Sequence, residues 1–213
     1  MSTDLPPHGG SYRRGGTFAL AITGASGAIY AMRTMAALLE RECRLEVVIS
    51  EYGRRLLHDE LGEGAAVSRL REYLVHTYGD AASKGTFTVF SNKDLGAPIA
   101  SGSHDCEGMV IVPCSMKTLA GVAHGLSRNL VERAADVMLK EKRRLVIVPR
   151  EAPMSLPQLK NMVLCAEAGA MILPAMPAFY QMPKTIGDLA DFMAGKVLAA
   201  LGLPQDLYAK WEG

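Results

Sequence analysis

Short runs of apolar residues alternate along this chain with longer stretches whose apolar positions recur every three or four residues. That alternation predicts strand–helix–strand units wound about a parallel sheet. Phe18 to Thr23 predicts the first strand, and Ala28 to Glu40 the helix after it. Leu45 to Ser50 predicts a second strand leading into a helix through Arg54 to Leu61, and a further helical segment covers Val67 to Thr77. Thr86 to Phe90 reads as another strand. Met109 to Val112 and Leu145 to Val148 are short buried strands, with Pro113 and Pro149 expected to end them because proline has no amide to donate. A helix follows from Met116, and another runs from the N-cap Asn129 to about Lys142. Pro157 to Ala168 is helical and closed by Gly169, Ala170 to Leu173 is the last strand, and Thr185 caps a final helix to about Leu201.

The pattern implies an α/β fold: a three-layer, doubly wound, mostly parallel sheet of Rossmann-like or flavodoxin-like kind. Residues 1–16 are rich in Pro, Gly and Ser and lack the apolar core of a secretory signal, so they read as a flexible leader. Residues 17–213 then form a single domain. In such sheets ligands bind outside the carboxyl ends of the strands. The segments just after the strands are therefore where chemistry is expected.

Composition narrows the function. Hydrophobic residues make up 49% and charged residues 21%, the balance of a folded globule. A net charge of +1 and 6% aromatics give no field or stacking face for nucleic acid, and no apolar run is long enough to span a bilayer. The cysteines Cys43, Cys106, Cys114 and Cys165 show no paired spacing, which favours reduced thiols in a cytoplasm. An anionic ligand must be gripped by a local cluster.

Several segments could form one. Thr23-Gly24-Ala25-Ser26-Gly27-Ala28 joins the first strand to its helix, where glycines and free N–H groups suit a phosphate. It departs from the dinucleotide fingerprint, so a mononucleotide such as FMN fits better than NAD; a ligand-free turn is the alternative. Ser50 ends the second strand, as a sugar contact or a helix cap. Pro113-Cys114-Ser115-Met116-Lys117-Thr118 sets two hydroxyls and a lysine at a helix start, either a second anion or flavin-edge site or a plain N-cap. Cys114 there could be a nucleophile, though a small core residue is the simpler reading. Ser101 lies in a hydroxyl-rich loop, and the adjoining His104-Asp105-Cys106-Glu107 lacks the recurring spacing of a zinc site.

Arg133 and Lys140, seven apart on one helix, share a face that could hold a phosphate or merely be solvated. Lys142, Arg143 and Arg144 suit the helix C-terminal dipole. Arg150 and Glu151 follow a strand end and could grip phosphate and move a proton, or simply pair with each other. Lys196 lies seven after Leu189 and three after Met193, on the expected apolar stripe of the last helix, where it either snorkels or faces an anion. Tyr180 is a pocket hydroxyl or a half-buried ring.

Together these segments resemble the flavin prenyltransferase family (UbiX-type) from about Phe18 to Trp211. The matching stretches are Thr23 to Ala28, Ala100-Ser101-Gly102-Ser103, Pro113 to Leu119, Asn129 to Val137, and Val148-Pro149-Arg150-Glu151-Ala152-Pro153. Ile99 stands where Pro is common in the family, Leu95 where some members have Trp, and Lys196 where some have Arg.

The resemblance implies an enzyme that joins a dimethylallyl group from dimethylallyl phosphate to N5 and C6 of reduced FMN, without a metal. Prenylated FMN then serves a partner decarboxylase. It implies FMN contacts at Gly24, Ala25, Ser26, Ser50, Ser115, Met116, Lys117, Thr118 and Arg150. The prenyl phosphate falls to Tyr180 and Lys196, with Arg133, Lys140, Ser101 and Glu151 around it. Glu60 and Glu151 are its proton-transfer candidates, Trp211 its aromatic near the C-terminus, and Glu60, Glu151, Lys140, Arg133 and Tyr180 its catalytic set. A homo-oligomer, a dodecamer in the family, with sites shared between subunits is implied as well. The rival readings are an FMN-dependent decarboxylase of cysteine-terminated substrates, for which His58 is the nearest histidine, and a non-catalytic flavin carrier.

Overall fold

The computed structural model describes residues 15–209, so Trp211 and nearly all of the expected leader lie outside the described residues. The packed structure reaches back to Gly16, which is buried and accepts a backbone hydrogen bond from Arg44. Six parallel strands among the described residues form one sheet: β1 (Thr17–Ile22), β2 (Arg44–Ile49), β3 (Thr86–Ser91), β4 (Gly108–Cys114), β5 (Arg144–Pro149) and β6 (Met171–Ile172). Their order is β3-β2-β1-β4-β5-β6, so the winding reverses between β1 and β4. That reversal opens a crevice at the carboxyl ends of those two strands.

Among the described residues, seven α-helices cover the sheet: α1 (Ala28–Glu40), α2 (Glu51–Leu61), α3 (Leu70–Tyr78), α4 (Met116–Ala123), α5 (Leu130–Lys140), α6 (Leu156–Glu167) and α7 (Ile186–Ala200). Alternation along β1 splits the core. Phe18, Leu20 and Ile22 pack with α1, α2, α3 and α7, whereas Ala19 and Ala21 pack with α4, α5 and α6. Both faces are covered, which is why β1, β4 and β5 are nearly unbroken apolar runs. Full burial of each large side chain there contributes roughly 1.5–3 kcal/mol.

Helix starts follow the side chains the sequence offers. Ser50, Ser115, Asn129 and Thr185 each accept a hydrogen bond from a first-turn amide of α2, α4, α5 and α7. Gly169 closes α6 with a φ of 104°, left-handed backbone that glycine adopts without steric cost.

Three expectations fail on local chemistry. Pro113 does not end its strand but lies within β4, whereas Pro149 is the last residue of β5, as expected. The ladder tolerates Pro113 because the register shifts between Ile111 and Cys114, and its carbonyl still accepts the Thr23 amide at 3.2 Å. The helix from Asn129 stops at Lys140, since Lys142 has a φ of 54°. Lys196 is exposed beside the apolar stripe of α7, whose buried positions include Ala190, Met193, Ala194, Val197 and Leu198.

Candidate active site

Thr23 directly follows β1 with its side chain buried, and its hydroxyl joins the chain after the two strands flanking the crevice. The Oγ1 donates to the Pro113 carbonyl at 2.9 Å and accepts from the Ser115 amide at 2.8 Å. The loops after β1 and β4 are thereby fixed against each other. Gly24 is required next, because a Cβ there would sit 2.6 Å from the Tyr52 Cβ. Gly27 precedes α1 with a φ of 118°, a conformation that side chains resist.

Arg150 brings in the loop after β5. Its amide donates to the Cys114 carbonyl at 3.3 Å, and its Nε donates to the Ser26 carbonyl at 3.1 Å. Three loops thus meet at the switch point, carrying Gly24, Ala25, Ser26, Ser115, Met116, Lys117, Thr118 and Arg150. Ser115 caps α4 and donates its hydroxyl to Thr118 Oγ1 at 3.1 Å. Ser50 is joined to the same edge by its amide, which donates to the Ile22 carbonyl. Its side chain is spent on capping α2 through Gly53.

Glu60 reaches this edge from α2. Its carboxylate accepts from the Gly27 amide at 3.0 Å and the Ala28 amide at 2.8 Å. The first amides of α1, expected to be free for a phosphate, are therefore taken by a carboxylate. The physical reason is that α1 has no acidic residue in its own first turn, and the positive helix end is met from the neighbouring helix. Glu151 accepts from the Ala152 amide, and no ion pair between Arg150 and Glu151 occurs among the described residues.

Ser101, Arg133 and Lys140 gather elsewhere, along α5. Arg133 Nε donates to the Ala100 carbonyl at 3.1 Å, and its other amine pairs with Asp136 at 2.9 Å. Lys140 pairs with Glu141, and both side chains crowd Gly102, where a Cβ would meet Lys140 Nζ at 2.7 Å. Ser101 Oγ lies 2.9 Å from Ser103 Oγ. No hydrogen bond or ion pair among the described residues ties this group to the three loops at the switch point.

Tyr180 and Lys196 form a third group. Tyr180 meets Phe192 edge-on with ring centres 6.1 Å apart, and Phe192 lies 4.8 Å from Tyr208. Lys196 Nζ sits over both Phe192 and Tyr208, at 5.6 and 5.9 Å, an arrangement that holds an exposed ammonium beside an aromatic wall.

Cys114 is fully buried, and burial drives its thiol pKa far upward, so it is no nucleophile. His58 is exposed and lies beside Asp59. His104, in the metal-like run, is turned instead onto Glu46 at 2.9 Å. Sequence reasoning passed over Thr23 as a fastener. A hydroxyl ending a buried apolar strand just before a glycine was the available signal.

Comparison with known proteins places these features in a family. The chain matches the family described as Flavoprotein over residues 11–197. A flavin prenyltransferase UbiX from Halalkalibacterium halodurans is 46% identical over 92% of this chain and 93% of its own. The crystal structure of AnUbiX in complex with FMN and dimethylallyl pyrophosphate superposes with a TM-score of 0.83 at 36% identity, covering 94% of this chain and 99% of that one. A dodecameric FMN-dependent UbiX-like decarboxylase from Escherichia coli O157:H7 gives a TM-score of 0.80 at 35% identity, over 92% and 100% of the two chains. With the three-loop crevice between β1 and β4 at its centre, this chain belongs to the flavin prenyltransferase family.

Proposed function

We propose that the protein transfers the dimethylallyl group of dimethylallyl phosphate to N5 and C6 of reduced FMN, producing prenylated FMN for a partner decarboxylase. The observation that carries this reading is Arg150 reaching from the β5 loop to the Ser26 carbonyl, which closes three loops into one cradle. The donor set suits a flavin mononucleotide. Ser26, Lys117 and Thr118 offer hydroxyl and ammonium donors, and among the described residues Arg150 engages a partner through its side-chain Nε, with its terminal amines available to a phosphate or a flavin carbonyl. Reduced FMN supplies the nucleophilic N5 and C6.

The chain's own part is electrostatic and positional. Arg133, Lys140, Lys196 and Arg150, with Tyr180 and Ser101, hold the prenyl phosphate and stabilise negative charge as it leaves. Basic side chains perform the neutralisation often given to a metal, so the reaction proceeds without one. Glu151 and Glu60 move protons at the flavin edge. Glu60 can do so only while its carboxylate remains on the α1 amides, which hold it over the first loop.

No hydrogen bond or ion pair among the described residues ties Ser101, Arg133 and Lys140 to the crevice, and a site completed by a second copy accounts for this. α6 supports assembly too: Leu156, Leu159, Val163 and Leu164 are exposed along it, with Leu156 at 64%. A homo-oligomer, dodecameric as in the Escherichia coli relative, gives each crevice a neighbour's α5. No described helix is long and apolar enough to cross a membrane, and the cytoplasm is the proposed compartment. The test is reconstitution. Flavin released by the enzyme should activate an apo-decarboxylase only when reduced FMN and dimethylallyl phosphate were both supplied; activation by FMN alone would reject the reading.

A further inference from the structure

Glu46 is one of two buried carboxylates among the described residues, 7% exposed and set in β2 between β1 and β3. A charge so placed is costly unless it is paired. Its partner is His104, whose Nε2 lies 2.9 Å from both carboxylate oxygens. An ionised carboxylate only accepts, so this pairing requires the proton on Nε2. His104 belongs to no regular element; it ends the segment Ser101-Gly102-Ser103-His104 that leads into β4.

Arg143 holds the same segment from the other side. Its terminal amines donate to the His104 carbonyl at 2.7 Å and the Gly102 carbonyl at 2.8 Å. That side chain was expected only to meet a helix dipole, yet it forms a two-pronged fastening of a loop. Side chain and backbone of His104 are thus gripped by opposite charges, Glu46 from within β2 and Arg143 from just before β5. Ser101 sits three residues upstream, with its hydroxyl already engaged by Ser103.

We propose that Glu46 and His104 are positioning residues, which with Arg143 clamp the loop so that Ser101 is presented to the prenyl phosphate. This rests on the reading of Ser101 as a donor-substrate contact. The carboxylate touches neither substrate; it acts through His104 on the backbone that carries Ser101. Because Ser101 binds the phosphate before and during transfer, loosening it weakens donor binding uniformly and leaves turnover at saturation intact.

Three variants test this: His104→Phe, which keeps the ring volume, the double variant Glu46→Leu with His104→Phe, which leaves no orphaned charge, and Glu46→Gln, which keeps a hydrogen-bond partner for the imidazole. Amide hydrogen exchange over residues 101–104 is read alongside steady-state kinetics at saturating reduced FMN. The expected result is faster exchange and a KM for dimethylallyl phosphate raised about tenfold, the worth of one charge-assisted hydrogen bond, in the first two variants. Their kcat and FMN affinity stay near wild type, and Glu46→Gln restores both exchange and KM. Unchanged exchange in the first two overturns the clamp, and faster exchange with unchanged KM overturns its link to the donor. Absence of prenylated flavin from the wild-type protein would instead refute the functional reading, while the exchange data still decide the clamp.

Discussion

The Thr23 hydroxyl bridges Pro113 and Ser115 across the switch point, donating to the Pro113 carbonyl at 2.9 Å and accepting from the Ser115 amide at 2.8 Å. It is a buried fastener between two loops that the proposed function assigns to one flavin. Replacing Thr23 with Val keeps the shape and strands the Ser115 amide without its acceptor. The expected loss is about 1–3 kcal/mol of stability, seen in denaturant unfolding, together with weaker FMN binding by titration. Thr23→Ser should stay close to wild type.

Gly27 carries a backbone constraint that no repacking relieves. Its φ of 118° and a Cβ only 2.8 Å from Tyr30 Cδ2 both oppose a side chain. Gly27→Ala should lower stability by roughly 1–3 kcal/mol. Adding Tyr30→Ala removes the collision and leaves the φ penalty, so the double variant should remain less stable in thermal unfolding than Tyr30→Ala alone.

The proposed sharing of the site between copies predicts complementation. Arg150→Ala and Lys140→Ala should each abolish or severely lower prenylation by the intact oligomer. Mixed oligomers of the two should regain activity, because some crevices then draw an intact Arg150 from one protomer and an intact Lys140 from its neighbour. Mixtures as inactive as the parents would show that each protomer builds its site alone.

All four cysteines are buried and free. Burial raises the thiols of Cys43, Cys106 and Cys165 to about 11 and that of Cys114 further still. The native protein at pH 8 should therefore react with a thiol reagent only as fast as it unfolds. A raised folded-state value stabilises the fold below the ordinary thiol value of 9.0 and ceases to do so as pH rises through about 11. Stability should accordingly fall across that alkaline window, and a Cys106→Ala variant should show a shallower fall.

Much of this architecture was legible in the residues because the signals were local. Ser50, Asn129, Thr185 and Gly169 mark helix boundaries through chemistry contained in a few neighbouring positions. Pro113 misled because the neighbouring strand, not the proline itself, decides whether a ladder continues. Pro113 lacks a donor, but its carbonyl was still wanted by Thr23. Glu60, Arg143 and His104 were illegible for a related reason. Each acts on a segment at least thirty residues away, on Ala28, Gly102 and Glu46 respectively. Lys196 was assigned to the apolar stripe by counting from Leu189, which itself lies at the stripe's margin and is only partly buried. Candidate residues at the β1, β4 and β5 ends are joined by hydrogen bonds between their loops, while no hydrogen bond or ion pair among the described residues ties those on α5 to that crevice.

The most direct measurement is a mass spectrum of the flavin released after anaerobic incubation of the purified protein with reduced FMN and dimethylallyl phosphate, with metal chelated throughout. The account predicts FMN heavier by one dimethylallyl-derived unit, formed by wild type and lost in Arg150→Ala. Unmodified FMN from a protein that binds it tightly, with dimethylallyl pyrophosphate equally inert, would contradict prenyl transfer.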